Sequence, residues 1–232
     1  MTTKLQRSVL SLFASFAACG LFCSWSCAAE LTLKVVEKEA PKEIDASIRE
    51  ALQSKAIQLL EGEKPAFEFW FRSEMPLQAK PAAVDKGLEA LKQAALLGVV
   101  SVAKATRDYR DDTVPSGVYT MRFALQPQDG NHLGTAEFLY FAVLTPVKVD
   151  SKLDGITDYK ALVKASSKET STDHPMVMSL RPATSEEGDV PKLSEPAPEH
   201  KSVRVKLPAK GSAPDQKTSL VFELVYQGVT KK

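Results

Sequence analysis

Beyond residue 27 the chain contains no cysteine; its three, Cys19, Cys23 and Cys27, sit close together near the start. Once the first 29 residues are removed, cysteine-ligated zinc, iron–sulfur clusters, thioether-bound haem and a cysteine nucleophile are all excluded. An excess of one charge is lacking too, with 30 basic side chains against 29 acidic ones. A sum so near zero projects no field to displace counterions from a phosphate backbone, so no nucleic-acid partner is expected. There is no phosphate-binding glycine loop, Gly-x-Ser-x-Gly elbow, His-Glu-x-x-His helix or dinucleotide fingerprint. Past the N-terminus no apolar run approaches the roughly 20 residues that cross a bilayer. What is present, 44% apolar and 25% charged residues, is the composition of a folded chain rather than a disordered one.

The first 29 residues read as a secretory signal peptide. Lys4 and Arg7 form a short positive region, residues 8–25 carry no charge, and Cys27 and Ala29 occupy the small-residue positions of a cleavage site. Two other readings compete: an uncleaved membrane anchor, and lipoprotein acylation at Cys19 within Phe16-Ala17-Ala18-Cys19. Loss of Lys4 and Arg7 leaves 28 basic against 29 acidic residues, a formal charge of −1. The expected location is periplasmic or extracellular, with no transmembrane span after cleavage. Without disulfides, stability must come from a hydrophobic core, which about 200 residues can supply.

In residues 30–65 the pattern predicts a strand at 31–36 and a helix at 44–60, where Ile44, Ile48, Ala51, Leu52, Ala56, Leu59 and Leu60 recur at helical spacing. From residue 66 to 232 strict alternation takes over. Phe67, Phe69 and Phe71 fall on one strand face with Glu68, Trp70 and Arg72 opposite; Tyr119, Met121, Phe123 and Leu125 alternate with Val118, Thr120, Arg122 and Ala124. Further strands are expected near 97–103, 138–144, 176–180, 203–207 and 220–226, and helices at 82–95 and 158–167. Four prolines and a Ser/Glu/Asp-rich spacer mark 182–200 as a long flexible loop. Eight strands and about three peripheral helices predict a mainly β fold, an antiparallel β-sandwich of jelly-roll or immunoglobulin-like type.

Chemistry-bearing residues gather in loops between these strands. Arg107-Asp108-Tyr109-Arg110-Asp111-Asp112 offers carboxylates and guanidinium groups on a loop held by a sheet; its bland reading is mutual pairing of surface charges. The loop from Gln126 to Gly134 contains Asp129-Gly130, a hairpin turn signal, and leaves His132 over. His174 precedes Pro175 at the start of another strand. His132 and His174 with a carboxylate form a donor set for copper, zinc or iron, although no two histidines stand at helical spacing. Arg122, with Glu68, Trp70 and Arg72, forms either a polar and aromatic binding surface or a structural charge pair under a helix. Candidate ligand-binding residues are therefore Asp108, Tyr109, Arg110, Asp111, Arg122, Asp129, His132 and His174.

The segment 66–180 resembles an uncharacterised family of exported proteins from environmental bacteria. The resemblance rests on Glu68-Phe69-Trp70, Asp108-Tyr109-Arg110-Asp111, Pro115-Ser116-Gly117-Val118-Tyr119-Thr120-Met121-Arg122, the loop Gln126 to Gly134, and His174-Pro175. It implies an exported β-rich protein and assigns no catalytic residue or cofactor. The leading expectation is a non-catalytic exported module that binds a small ligand, a glycan or an envelope protein. The alternatives are a metal-dependent enzyme using His132 and His174, and a structural envelope component without a ligand site.

Overall fold

The computed structural model describes residues 30–130, 134–170, 172–211 and 217–230; the signal segment 1–29 and His132 lie outside them. In chain order the elements are β1 (Thr32–Glu37), α1 (Ala46–Glu50), β2 (Lys55–Glu61), β3 (Lys64–Phe71), β4 (Met75–Pro76), β5 (Leu96–Val102), β6 (Thr106–Arg107), β7 (Thr113–Val114), β8 (Gly117–Leu125), β9 (Tyr140–Pro146), α2 (Tyr159–Ser166), β10 (Met176–Pro182), β11 (Lys192–Ala197), β12 (His200–Lys210) and β13 (Lys217–Gln227). None of the described helices is long and apolar enough to cross a membrane.

The long strands run in the order β1-β2-β3-β5-β8-β9-β10-β13-β12-β11, each neighbour antiparallel. The described strands of this path make one sheet, curled into an open half-barrel, where a jelly-roll or immunoglobulin-like sandwich would divide them between two. β4 pairs in parallel with the end of β12, and β6 with β7 forms a separate two-residue ribbon. Curling brings the third strand of the order against the eighth. Phe71 of β3 meets Phe222 of β13 edge-on at 6.2 Å, and Phe67 lies 5.7 Å from Tyr226. Alternation puts Phe67, Phe69, Phe71, Met121, Phe123, Phe222 and Leu224 on this inner face, all of them buried.

The outer face is covered piecemeal. α1 and its flanks lay Ile44, Ile48 and Leu52 over Trp70 and Val99. Asp45 caps α1 by accepting from the Ser47 N–H at 2.9 Å. α2 buries Leu162 beside Phe141, Val143 and Val177; Asp158 caps it through the Ala161 N–H at 3.0 Å. Ser166 pins its far end, donating to the Leu144 carbonyl at 2.5 Å and accepting from the Met176 N–H at 2.9 Å. Gly98 sits where β5 passes close to β3: an added Cβ would stand 2.3 Å from the Trp70 carbonyl oxygen.

Three expected elements differ. The helix at 44–60 shortens to Ala46–Glu50, and Lys55–Glu61 is a strand, because β1 and β3 flank it and offer ladder partners on both edges. A register shift between Leu59 and Leu60 breaks its alternation and imitates helical spacing. At 82–95 there are two 3₁₀ turns, Val84–Lys86 and Leu88–Ala90, which meet at Gly87. The segment 182–200 is not all loop: it includes β11, an edge strand where Pro196 needs no ladder donor.

Candidate functional site

Between the loops and α2 the outer face of β8, β9 and β10 opens into a cleft of about 680 Å³. Ala124, Phe141, Val143 and Val177 form its floor, projecting from alternate positions opposite the inner-face residues Phe123, Ala142 and Met178. Polar groups ring it: Arg110, Gln126, Thr135, Tyr159, His174 and Thr230. They come from chain segments far apart in sequence, held by hydrogen bonds such as Gln126 Nε2 to Thr135 Oγ1 at 2.7 Å.

The loop 108–112 is the tip of the β6–β7 ribbon, and Asp108 fixes it. Its buried carboxylate accepts from the backbone N–H groups of Arg110 at 2.8 Å, Asp112 at 2.9 Å and, across to β10, Val177 at 3.0 Å. Burial outweighs those three donors and pushes the Asp108 carboxyl up to about 6. Tyr109, next along, donates its N–H to the Val177 carbonyl at 3.0 Å, and its carbonyl accepts from Thr230 N–H at 2.9 Å. Its ring packs 6.1 Å from Phe141 and 5.6 Å from His200, and burial raises its phenol. Arg110 then faces the cleft. Its Nε is buried and has no hydrogen-bond acceptor among the described residues; Asp112 Oδ2 stands 3.7 Å away.

Of the residues singled out in the sequence, Tyr109, Arg110 and His174 line this one cleft. Asp108 stands behind the wall as the staple just described. Asp111 is exposed, takes a positive φ of 69° and caps Arg107 through its carbonyl at 2.8 Å, so it shapes the turn. Asp129 is exposed, near enough for its charge to raise the Tyr159 phenol, which burial raises more and Arg110 lowers. His174 is exposed and joined to the wall through Thr170 and Thr172. No group of three or more His, Cys, Asp and Glu side chains is placed to hold a metal among the described residues.

Arg122 departs from the binding role. It is 1% exposed and bonds bidentately to Asp150, Nε to Oδ2 at 2.6 Å and Nη2 to Oδ1 at 2.9 Å. It also donates to the carbonyls of Ala94, Lys152 and Leu153, while Thr120 donates to Asp150 at 2.6 Å. A guanidinium tied to so many fixed acceptors is a structural pin, and Asp150 rather than Glu68 is its partner. Glu68 instead accepts from Lys38 and Gln58. Trp70 is fully buried under α1, with Nε1 donating to the Lys38 carbonyl at 2.8 Å, so it offers no stacking surface.

Sequence reasoning missed the floor, Tyr159 and Thr230. The floor had a signal: Tyr140–Pro146 is an almost unbroken apolar run, which marks a strand buried on both faces. No family model matches the chain, and no match is found among curated proteins or among solved structures.

Proposed function

We propose that this protein is an exported, non-catalytic binding module whose outer cleft takes a small amphipathic ligand, an apolar body on the floor and an anionic acceptor at Arg110. One observation carries the reading: a cleft of about 680 Å³ with an apolar floor also has a buried guanidinium nitrogen on its wall with no hydrogen-bond acceptor among the described residues. Small-molecule sites combine an apolar lining with a few fixed polar groups in this way, and a buried donor left unmet costs about 1–3 kcal/mol. The floor of Ala, Phe and Val side chains suits a hydrocarbon or aromatic body better than a sugar, which needs hydrogen bonds on every side. Export rests on the composition of residues 1–29.

Titration with 8-anilinonaphthalene-1-sulfonate, an aromatic body bearing one anion, tests this. Saturable one-to-one fluorescence enhancement is expected. Ala124→Phe, which fills the floor, abolishes it, and Arg110→Gln weakens it about tenfold, the equivalent of one charge-assisted hydrogen bond. Enhancement that does not saturate, or that both variants leave unchanged, overturns the reading.

A further inference from the structure

A second cavity, of about 290 Å³, opens beside Arg122 at the end of β3, and none of its lining residues is shared with the cleft. Two of its donors lack acceptors among the described residues. Arg72 is half-buried, and no described residue makes a hydrogen bond or ion pair with its guanidinium. Gln93 spends its Oε1 accepting from the Leu125 N–H at 3.1 Å, which turns its Nε2 into a buried donor with no acceptor among the described residues. The next residue, Ala94, holds a left-handed φ of 62°, a conformation that costs a non-glycine residue of order 1 kcal/mol. Arg122 fixes that turn by donating to the Ala94 carbonyl at 2.9 Å. The rest of the lining includes Pro76, Leu77, Leu96 and Ile156.

We propose that this cavity binds a short-chain monocarboxylate, its carboxylate taken by the Arg72 guanidinium and the Gln93 amide and its aliphatic chain laid along Pro76, Leu77, Leu96 and Ile156. A planar carboxylate matches the guanidinium fork. The charge balance selects a monoanion. The lining carries Arg72, Lys92 and Arg122 against Asp154, and Asp150 neutralises Arg122, which leaves one positive charge; Asp154 and Glu74 act on Arg72 and repel a second negative charge. Burial and the Arg122 charge both lower the Arg72 guanidinium from its ordinary value, and a bound carboxylate reverses that cost.

The full chain, ¹⁵N-labelled, is titrated with sodium butyrate, n-butanol and inorganic phosphate while the Arg72 Nε–H and Gln93 side-chain amide resonances are followed. Butyrate is expected to saturate and shift both, with n-butanol at least tenfold weaker. Arg72→Gln loses at least tenfold in affinity. Gln93→Glu does the same and keeps the oxygen that Leu125 uses, so it decides the question if Arg72→Gln fails to fold. Ala124→Phe leaves butyrate binding unchanged, which separates this cavity from the cleft. Equal binding of butyrate and n-butanol, tighter binding of phosphate than of butyrate, or wild-type affinity in Gln93→Glu overturns the proposal.

Discussion

The two faces of the curled sheet are built differently. The inner face closes on itself: Phe67, Phe71, Phe222 and Tyr226 meet across the half-barrel, and residues from ten of the described strands share one continuous core. The outer face has no such partner surface. It relies on separate caps, α1 over Trp70 and α2 over Phe141 and Val143, each tied down by a few polar pins such as Asp45, Ser166, Asp108 and the Arg122–Asp150 pair. Where the caps stop short, the outer face is left open: the cleft lies there, and the smaller cavity at the end of β3 is lined from both faces, by Leu77 of the inner core as well as by Leu96 and Arg122. The inner face thus supplies cooperativity, while the outer face supplies openings and local freedom.

The sharpest way to break this contrast is Phe222→Ala. It empties the middle of the shared core and is expected to cost about 3–5 kcal/mol in urea unfolding, with every probe losing stability together. A change confined to one probe would contradict a single inner core.

Asp108 gives the next effect, of about 3 kcal/mol from a shift of roughly two pKa units. Its carboxyl rises in the folded protein from an ordinary 3.8 to about 6. Between those values the folded chain holds a proton that the unfolded chain has released, so this residue's contribution to stability falls as pH rises from about 4 to 6 and is level above 6. In Asp108→Asn that downward slope is expected to vanish, measured as unfolding free energy against pH. An unchanged slope would assign it to other carboxylates. The smallest effect is Asp158→Ala, a lost N-cap worth about 1 kcal/mol. Amide exchange should rise in α2 and leave β3 and β13 unaltered; a rise in all three would mean that the outer cap is not a separate unit.

The alternating strands were legible because one side of each pattern meets the shared core: Phe67-Phe69-Phe71, Tyr119-Met121-Phe123 and Leu220 to Tyr226 are buried on the expected faces, whereas Leu125, expected beside Phe123, is exposed where β8 ends. α2 was legible from its apolar spacing, and Asp158 marks its start. The failures share a cause. β2 reads as helix because pairing with β1 and β3 overrides a local pattern disturbed by its register shift. β11 reads as loop because edge strands tolerate proline. At the site, the polar loop 107–112 stood out from composition alone, yet its residues divide by role: Asp108 staples, Asp111 turns and only Tyr109 and Arg110 line the cleft. Asp150 had no signal, since nothing local distinguishes the acid that meets a buried arginine 28 residues away.

Trp70 turns the N-terminal cap into its own optical reporter. The chain has two tryptophans, Trp25 and Trp70, and the first belongs to the segment expected to be removed on export. In a chain beginning at Glu30, all indole emission comes from one ring sealed beneath α1 with its N–H on the Lys38 carbonyl. Undocking that cap would wet the ring and shift its emission to the red while the half-barrel stayed folded. The order in which caps and core come apart can therefore be followed by fluorescence without a label.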